Sequence, residues 1–360
     1  MKITDVECLV LDSTFPLVRV YTDEGLVGIG ECFRRFPEIT KPVVDAILKP
    51  VLLGKDPLET EVRWNEMAKA GEALELGGSI FIAIAGVDIA LWDIKGKALG
   101  LPIYALLGGK VRDKIRMYAS SMRRDLSPVE EGRRAASFVE QGYTGYKLHS
   151  AVPGAIDDPA DHTVDTVREV RAAVGDDIDI LVDINGAYSV HHSIEVGKAL
   201  EDLGTFHFEE PRPNYDLDGL AAIADALTIP IASGEMIYNR WQYRDLILRG
   251  RVDIIQPDIV KTGGFTEIQK IGDLASTFNR PITVHNTQPI ISTAAHLHFC
   301  AAHPNTVYSQ ENNIEPISIR DEWPILKTPL EVKDGYMDVP DGPGLGIELD
   351  EAMVKKLADA

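Results

Sequence analysis

The chain has 360 residues, 45% of them hydrophobic, enough for a full barrel plus a smaller domain around a large core. A formal net charge of −20 argues against nucleic acid and anionic membrane as partners, and no apolar run approaches the roughly 20 residues of a membrane span. Cys8, Cys32 and Cys300 are too scattered for a disulfide framework or a zinc site, so a reducing cytoplasm is the expected compartment.

The N-terminal stretch MKITDVECLVLD carries acids inside its apolar run and no cleavage pattern, so it reads as a strand rather than a signal peptide. KITDVECLVL, LVRVYTDE and GLVGIGEC form a three-strand meander, with turns at Asp12-Ser13 and Glu24-Gly25. Three helical patterns follow: ITKPVVDAILKPVLLG, DPLETEVRWNEMAKA and SIFIAIAGVDIALWDIKGKALG. The last is apolar on several faces and is expected to be buried. Leu101-Pro102 and Gly108-Gly109 then punctuate the chain.

From about residue 113 the pattern alternates. Apolar runs recur at IRMYAS, GYKLHS, DILVDIN, TFHFEEP, PIASGEM, VDIIQPDI, PITVHN and VYSQEN, which makes eight candidate strands. Helical segments separate most of them. One opens with Ser127-Pro128-Val129-Glu130, an N-cap, an N1 proline and a capping-box glutamate. Others run from about Pro159 to Val174 and along GGFTEIQKIGDLAS. Alternating strands and helices imply a parallel sheet, and eight strands suggest closure into a barrel. The tail after about residue 320 reads as short strands and turns that pack back on the first domain.

Asp183, Glu209 and Glu235 close the third, fourth and fifth of these strands, and each stands 26 residues after the one before. One βα unit needs about that length. A carboxylate recurring once per unit at the strand's C-terminal end lands on one rim of a barrel, where such enzymes keep their chemistry. Three converging carboxylates stay ionised together only around a cation, so the pattern predicts a site for a hard divalent ion. Other strand ends carry Lys147 and His149 on one face, Asn185, Asp258, His285-Asn286, and Glu311-Asn312. His191 and His192 read as solvated at a helix start, and His296, His298 and His303 as packing residues.

In this order these residues resemble the enolase superfamily, mandelate racemase subgroup. The resemblance rests on GLVGIGE and AIAGVDIALWDIKGKALGLPIYALLGG in the first domain. In the barrel it rests on YKLH, LVDIN, FEEP, SGE and QPDIVKTGG, with PDGPGLGIE in the tail. It implies an α/β fold: a modified TIM barrel, (β/α)7β, spanning 113–320, under an α+β capping domain built from residues 1–112 and the tail 321–360. It implies one Mg2+ per subunit, replaceable by Mn2+, held by Asp183, Glu209 and Glu235. The shared first step is removal of the proton beside a substrate carboxylate, giving an enediolate. Asp258 and His285 match the family's Asp–His dyad, in which the carboxylate is expected to raise the imidazole pKa. Glu311 matches the glutamate that hydrogen-bonds the substrate carboxylate. The subgroup's usual Lys-x-Lys is departed from: Lys147 matches the first lysine and His149 stands in place of the second. Which of these two is the opposite-face acid or base is left open by the resemblance.

The expected activity is dehydration of a sugar acid, with His285 delivering a proton to the departing 3-hydroxyl to give a 2-keto-3-deoxy acid. Asn185, Asn286, Gln288 and Asn312 suit a polyol. The alternatives are a two-base racemase, epimerase or cycloisomerase using His149 and His285, and an inactive relative. Arg34 and Arg35 follow the third strand, where family lids meet the barrel mouth, and are candidates for contacting a distal carboxylate. A homo-oligomer acting on a small-molecule carboxylate is expected.

Overall fold

The structure, a computed structural model, describes residues 1–152, 154–288 and 290–358. The first three strands are β1 Ile3–Leu11, β2 Phe15–Thr22 and β3 Val27–Glu31, paired antiparallel in that order. Asp12 and Ser13 both adopt positive φ, 48° and 50°, as the central pair of a tight turn closed by the Thr14 amide on the Leu11 carbonyl. A helix from Gly78 to Leu99 packs under this sheet, and most of its residues are buried. Gly28 and Gly30 of β3 permit that packing, because a Cβ at either would collide with the carbonyl oxygens of Ala90 and Gly86. The GLVGIGE and AIAGVDIA stretches thus fit backbone against backbone.

The barrel strands are β4 Lys114–Ser120, β5 Gly145–His149, β6 Asp179–Asp183, β7 His207–Glu209, β8 Ile231–Ser233, β9 Ile254–Ile255 and β10 Gln310–Asn313. They pair in parallel from β4 to β9 in chain order, and β10 returns to pair with β4. The expected seventh strand at PITVHN is reduced to one bridge, Ile255 to Ile282. Its neighbour on the other side is reached through a side chain. Gln310 accepts from the Val284 amide at 2.8 Å and donates to the Ile282 carbonyl at 3.2 Å, replacing ladder bonds. Leu148, Ile180, Val182, Phe208, Ile231 and Ile255 face the surrounding helices in one apolar cluster. The alternate positions, including Lys147, His149, Asp183 and Glu209, therefore face inward.

The predicted capping box forms: Ser127 Oγ accepts from the Glu130 amide and Glu130 reaches back to the Ser127 amide. The tail divides its contacts between the two bodies. β11 Val332–Lys333 and β12 Tyr336–Asp338 form a hairpin whose second strand pairs with the start of β4, on the barrel. Only beyond it does the chain return to the first sheet, where Glu351 pairs with Arg19 and the Leu357 carbonyl accepts from the Asp12 amide. The first domain is tied over the barrel by buried polar contacts. Trp64 Nε1 donates to the Gly263 carbonyl, Trp92 Nε1 to Thr266 Oγ1, and Thr266 Oγ1 to Asp88. Among the described residues no helix is long and apolar enough to cross a membrane.

Candidate active site

Register places the acids. His149 pairs with Asp183, and Asp183 with Glu209, in one row across β5, β6 and β7. In that row Glu209 pairs with Ala232, so Glu235 lies beyond the end of β8. Gly234, at φ 131°, redirects the chain there, and a Cβ on it would stand 2.9 Å from Tyr243. The result is a triad whose ligand atoms lie within 4.8 Å of one another, all three side chains buried.

The charges around the triad are unevenly held. Lys147 Nζ lies 2.8 Å from Glu209 and from Glu311, and 3.7 Å from Asp183. Burial works to strip its proton, but Glu209 and Glu311 outweigh that and hold its pKa well above the usual lysine range. His149 donates from Nδ1 to the Ser121 carbonyl at 2.6 Å and turns Nε2 to Asp183 Oδ2 at 2.9 Å. Both ring nitrogens are therefore taken up by contacts within the protein. For Asp183, burial is opposed by His149 and Lys147, which keep its carboxyl well below the usual range. For Glu235, burial, with the charges of Asp183 and Glu209, outweighs the opposing charge of Lys261 and pushes it up to about 8. This surplus of buried negative charge, offered by oxygen atoms alone, is what a hard divalent cation such as Mg2+ or Mn2+ neutralises. The three residues fit that role.

His285 stands on the other side of the row. Its Nδ1 meets Asp258 Oδ2 at 2.7 Å and its Nε2 lies 3.2 Å from Glu235. Here the sequence expectation is overturned. Burial, joined by the ammonium groups of Lys261 and Lys147, pushes the His285 pKa well below the ordinary value, despite Asp258. Burial also lifts Asp258 itself to about 7. His285 is therefore held as a neutral imidazole, with Nδ1–H anchored on Asp258 and Nε2 not hydrogen-bonded among the described residues but close to Glu235.

A cavity of about 350 Å³ opens above these groups, lined by Arg34, Arg35, Arg124, Lys147, His149, Asn185, Glu210, Glu235, Lys261 and His285 among others. A larger cleft of about 560 Å³ in the tail, near Lys327 and Asp338, shares no residue with it. Asn185 lines the cavity, and its amide and Nδ2 donate to Asp183 at 2.8 and 3.2 Å. Asn286 does not line it. Its Nδ2 donates to Thr293 Oγ1, its Oδ1 accepts from Ser292, and its backbone amide donates to Glu311 Oε2 at 2.6 Å. The expected substrate contact at Asn286 is thus a scaffold contact. Asn312 binds Tyr143, and Gln288 ties Cys32 and Glu31 of the first domain. Both oxygens of Glu311 are engaged by the protein, Oε1 by Lys147 and Ser120 and Oε2 by Asn286. His296 is a buried packing residue, accepting from the Ile259 amide and donating to the Ser292 carbonyl.

Three charged lining residues escaped the sequence reading. Arg124 follows β4, the one rim position passed over; its place just after a strand end was the available signal. Lys261 is buried, with Met236 Sδ at 3.5 Å and the Phe33 ring at 4.5 Å as its contacts. Glu210 is the second acid of FEEP, at φ 42°, and its buried Oε1 has no hydrogen-bond partner among the described residues. Burial and the charges of Glu235, Asp183 and Glu209 push its carboxyl well up.

Comparison with known proteins agrees with this geometry. Residues 8–108 match the model for the mandelate racemase / muconate lactonizing enzyme N-terminal domain, and residues 130–353 the model for the enolase C-terminal domain-like family. The chain is 34% identical over 342 residues to an arabinonate dehydratase of Saccharolobus solfataricus, covering 94% of this chain and 88% of that protein. It is 36% identical over 342 residues to a D-galactarolactone cycloisomerase of Agrobacterium fabrum, covering 92% and 88%. A crystal structure of a mandelate racemase/muconate lactonizing protein from Paracoccus denitrificans, complexed with magnesium, superposes with a TM-score of 0.93 at 34% identity, covering 99% of this chain and 98% of that one. The chain belongs to the enolase superfamily, mandelate racemase subgroup, and is an enzyme of that group.

Proposed function

We propose that this enzyme is a Mg2+-dependent dehydratase of sugar acids, a carbon–oxygen lyase working in the cytoplasm. The observation that carries the reading is the single ready base. Of the cavity's candidates, Lys147 is clamped as an ammonium by two carboxylates and His149 has both nitrogens hydrogen-bonded, while His285 is kept neutral by burial, hydrogen-bonded among the described residues only through Nδ1, with Nε2 at the cavity wall 3.2 Å from Glu235. One base suits an elimination better than a two-base racemisation. Magnesium held by Asp183, Glu209 and Glu235 would supply Lewis-acid stabilisation of the negative charge that develops on the substrate carboxylate. The name of the magnesium complex of a close structural neighbour supports this choice of ion.

The chain's own residues do the rest. Lys147 faces the substrate carboxylate as a fixed positive charge, with Glu311 holding it in place. His285 Nε2 takes the proton from C2, and Asp258 stabilises the imidazolium so formed. That proton then passes to the 3-hydroxyl as the C3–O bond breaks, releasing water and an enol that becomes the 2-keto-3-deoxy acid. His149 orients Asp183. In this reading Asp258 and His285 act as one unit; the name of the arabinonate dehydratase relative supports dehydration as the activity.

A second reading, cycloisomerisation, is favoured by the galactarolactone relative and shares the first step. Incubating aldonates and aldarates with the enzyme and Mg2+, then following product mass, separates the two. A 2-keto product lighter by one water is expected. An isomeric product of unchanged mass would overturn the dehydratase reading in favour of the second.

A further inference from the structure

Three guanidinium groups meet at the cavity, and the structure gives them different work. Arg34 is half-buried and turned inward, its Nη1 donating to the Thr287 carbonyl and its backbone amide to Gln288. Arg35 is exposed at the cavity wall and makes no hydrogen bond or ion pair among the described residues. Arg124 is half-buried, with Nε donating to the Ala151 carbonyl at 3.0 Å and Nη2 to Asn185. Among the described residues the only acceptor at its Nη1 is the Met122 carbonyl at 3.5 Å, the limit of a hydrogen bond. One N–H on each terminal nitrogen is left for a ligand.

Neither Arg35 nor Arg124 is paired with a carboxylate among the described residues, although the chain carries 56 acidic residues. The charge of Arg35 acts against both Arg34 and Arg124, beside the burial that already lowers their pKa values. Asp183 and Glu235 act on Arg124 without pairing with it, and two unpaired like charges lining one cavity leave a place for an anion. Its position follows from Asn185, which stands between Arg124 and Asp183. Lys147 and the triad take the reacting carboxylate; Arg35 and Arg124 come from the lid after β3 and the loop after β4.

We propose that Arg35 and Arg124 clasp a second carboxylate at the far end of the substrate, which makes that substrate an aldarate. The inference rests on the dehydratase reading for the identity of the reacting end. Planar guanidinium groups match a carboxylate bidentately, so the pair selects for geometry as well as charge. Arg34, bound to the Thr287 carbonyl, supports the lid instead of meeting the ligand.

The test compares galactarate with galactonate and glucarate with gluconate, in Mg2+ buffer. Both kcat/KM and calorimetric affinity are measured for the wild type, Arg35→Ala, Arg124→Ala and Arg124→Lys. The wild type should prefer the diacid. Arg35→Ala and Arg124→Ala should each lower that preference roughly 10-fold or more, mainly through KM. Arg35 makes no hydrogen bond or ion pair to the rest of the site, so its variant keeps the test clear of disturbance at Asn185. A wild type without diacid preference, or a preference unchanged in both alanine variants, would overturn the proposal. So would tighter use of 6-phosphogluconate than of glucarate. Arginine-dependent diacid binding without dehydration would sustain the subsite and sink the dehydratase reading. Dehydration of monoacids with unaltered ratios would do the reverse.

Discussion

His285 carries the proposed chemistry, and its environment is tuned by what surrounds it rather than by its partner alone. A carboxylate at 2.7 Å normally favours the imidazolium, yet burial and two nearby ammonium groups win here. His285→Asn should lower kcat by about 1,000-fold, and Asp258→Asn by roughly 100-fold, as expected for loss of a general base and of its orienting group. Retention of near wild-type turnover by His285→Asn would remove the residue from its assigned role. At the triad, Glu209→Gln removes a charge from the cluster while keeping its shape. The variant should fold with an unchanged circular dichroism spectrum and lose Mg2+ affinity by calorimetry, and exhaustive chelation of the wild type should abolish turnover. Full activity after chelation would sink the metal assignment.

At the level of elements, two acids are delivered by strand register and the third by a turn. Asp183 and Glu209 are register partners, but Glu235 depends on the positive φ of Gly234 and on a passage too tight for a side chain beside Tyr243. Gly234→Ala should therefore cost about 1–3 kcal/mol of stability. It should weaken Mg2+ binding more than a comparable substitution outside the site. Urea unfolding and metal titration of the same protein measure both effects; a variant as stable and as tight as wild type would show that the turn carries no constraint. The seventh barrel segment makes a related point. It keeps one bridge in place of a strand, and Gln310 supplies the missing ladder contacts with its side-chain amide. His285 thus sits at the end of a segment tied by backbone bonds to Ile255 and Pro257 on one side and by the Gln310 side chain on the other.

For the whole molecule, buried acids couple stability to pH. Glu31 and Glu235 are pushed up to about 8 and Asp88 and Asp258 to about 7, in each case chiefly by burial. Their unfolded values lie near 4. Between those limits the folded chain holds protons that the unfolded chain has released, so stability falls as pH rises from about 4 to 8. Asp183 works in the opposite sense: its depressed pKa adds stability above the unfolded value of 3.8, which is lost in stronger acid. A cation at Glu235 competes with its proton. Metal-free protein should therefore melt lower at pH 8 than at pH 6, and Mg2+ should raise Tm more at pH 8. Equal Mg2+ stabilisation at both values would contradict the assignment of Glu235 as a ligand.

The three acids, their even spacing, and the dyad and glutamate motifs were all legible in the chain. A βα unit has a characteristic length, and strand-end residues are written once per unit. The meander, the buried helix from Gly78 to Leu99 and the Ser127 capping box were legible too, because each rests on neighbours in sequence. What only the tertiary structure decided depends on groups distant along the chain. The neutral state of His285 comes from burial, with Lys261 and Lys147 adding to it, and the turn of the Asn286 side chain away from the cavity comes from Ser292 and Thr293. The entry of Arg124 into the cavity comes from its contacts with Ala151 and Asn185. Spacing along a strand predicts which rim a residue reaches; burial and charge from other units, which no local pattern encodes, decide what it does there.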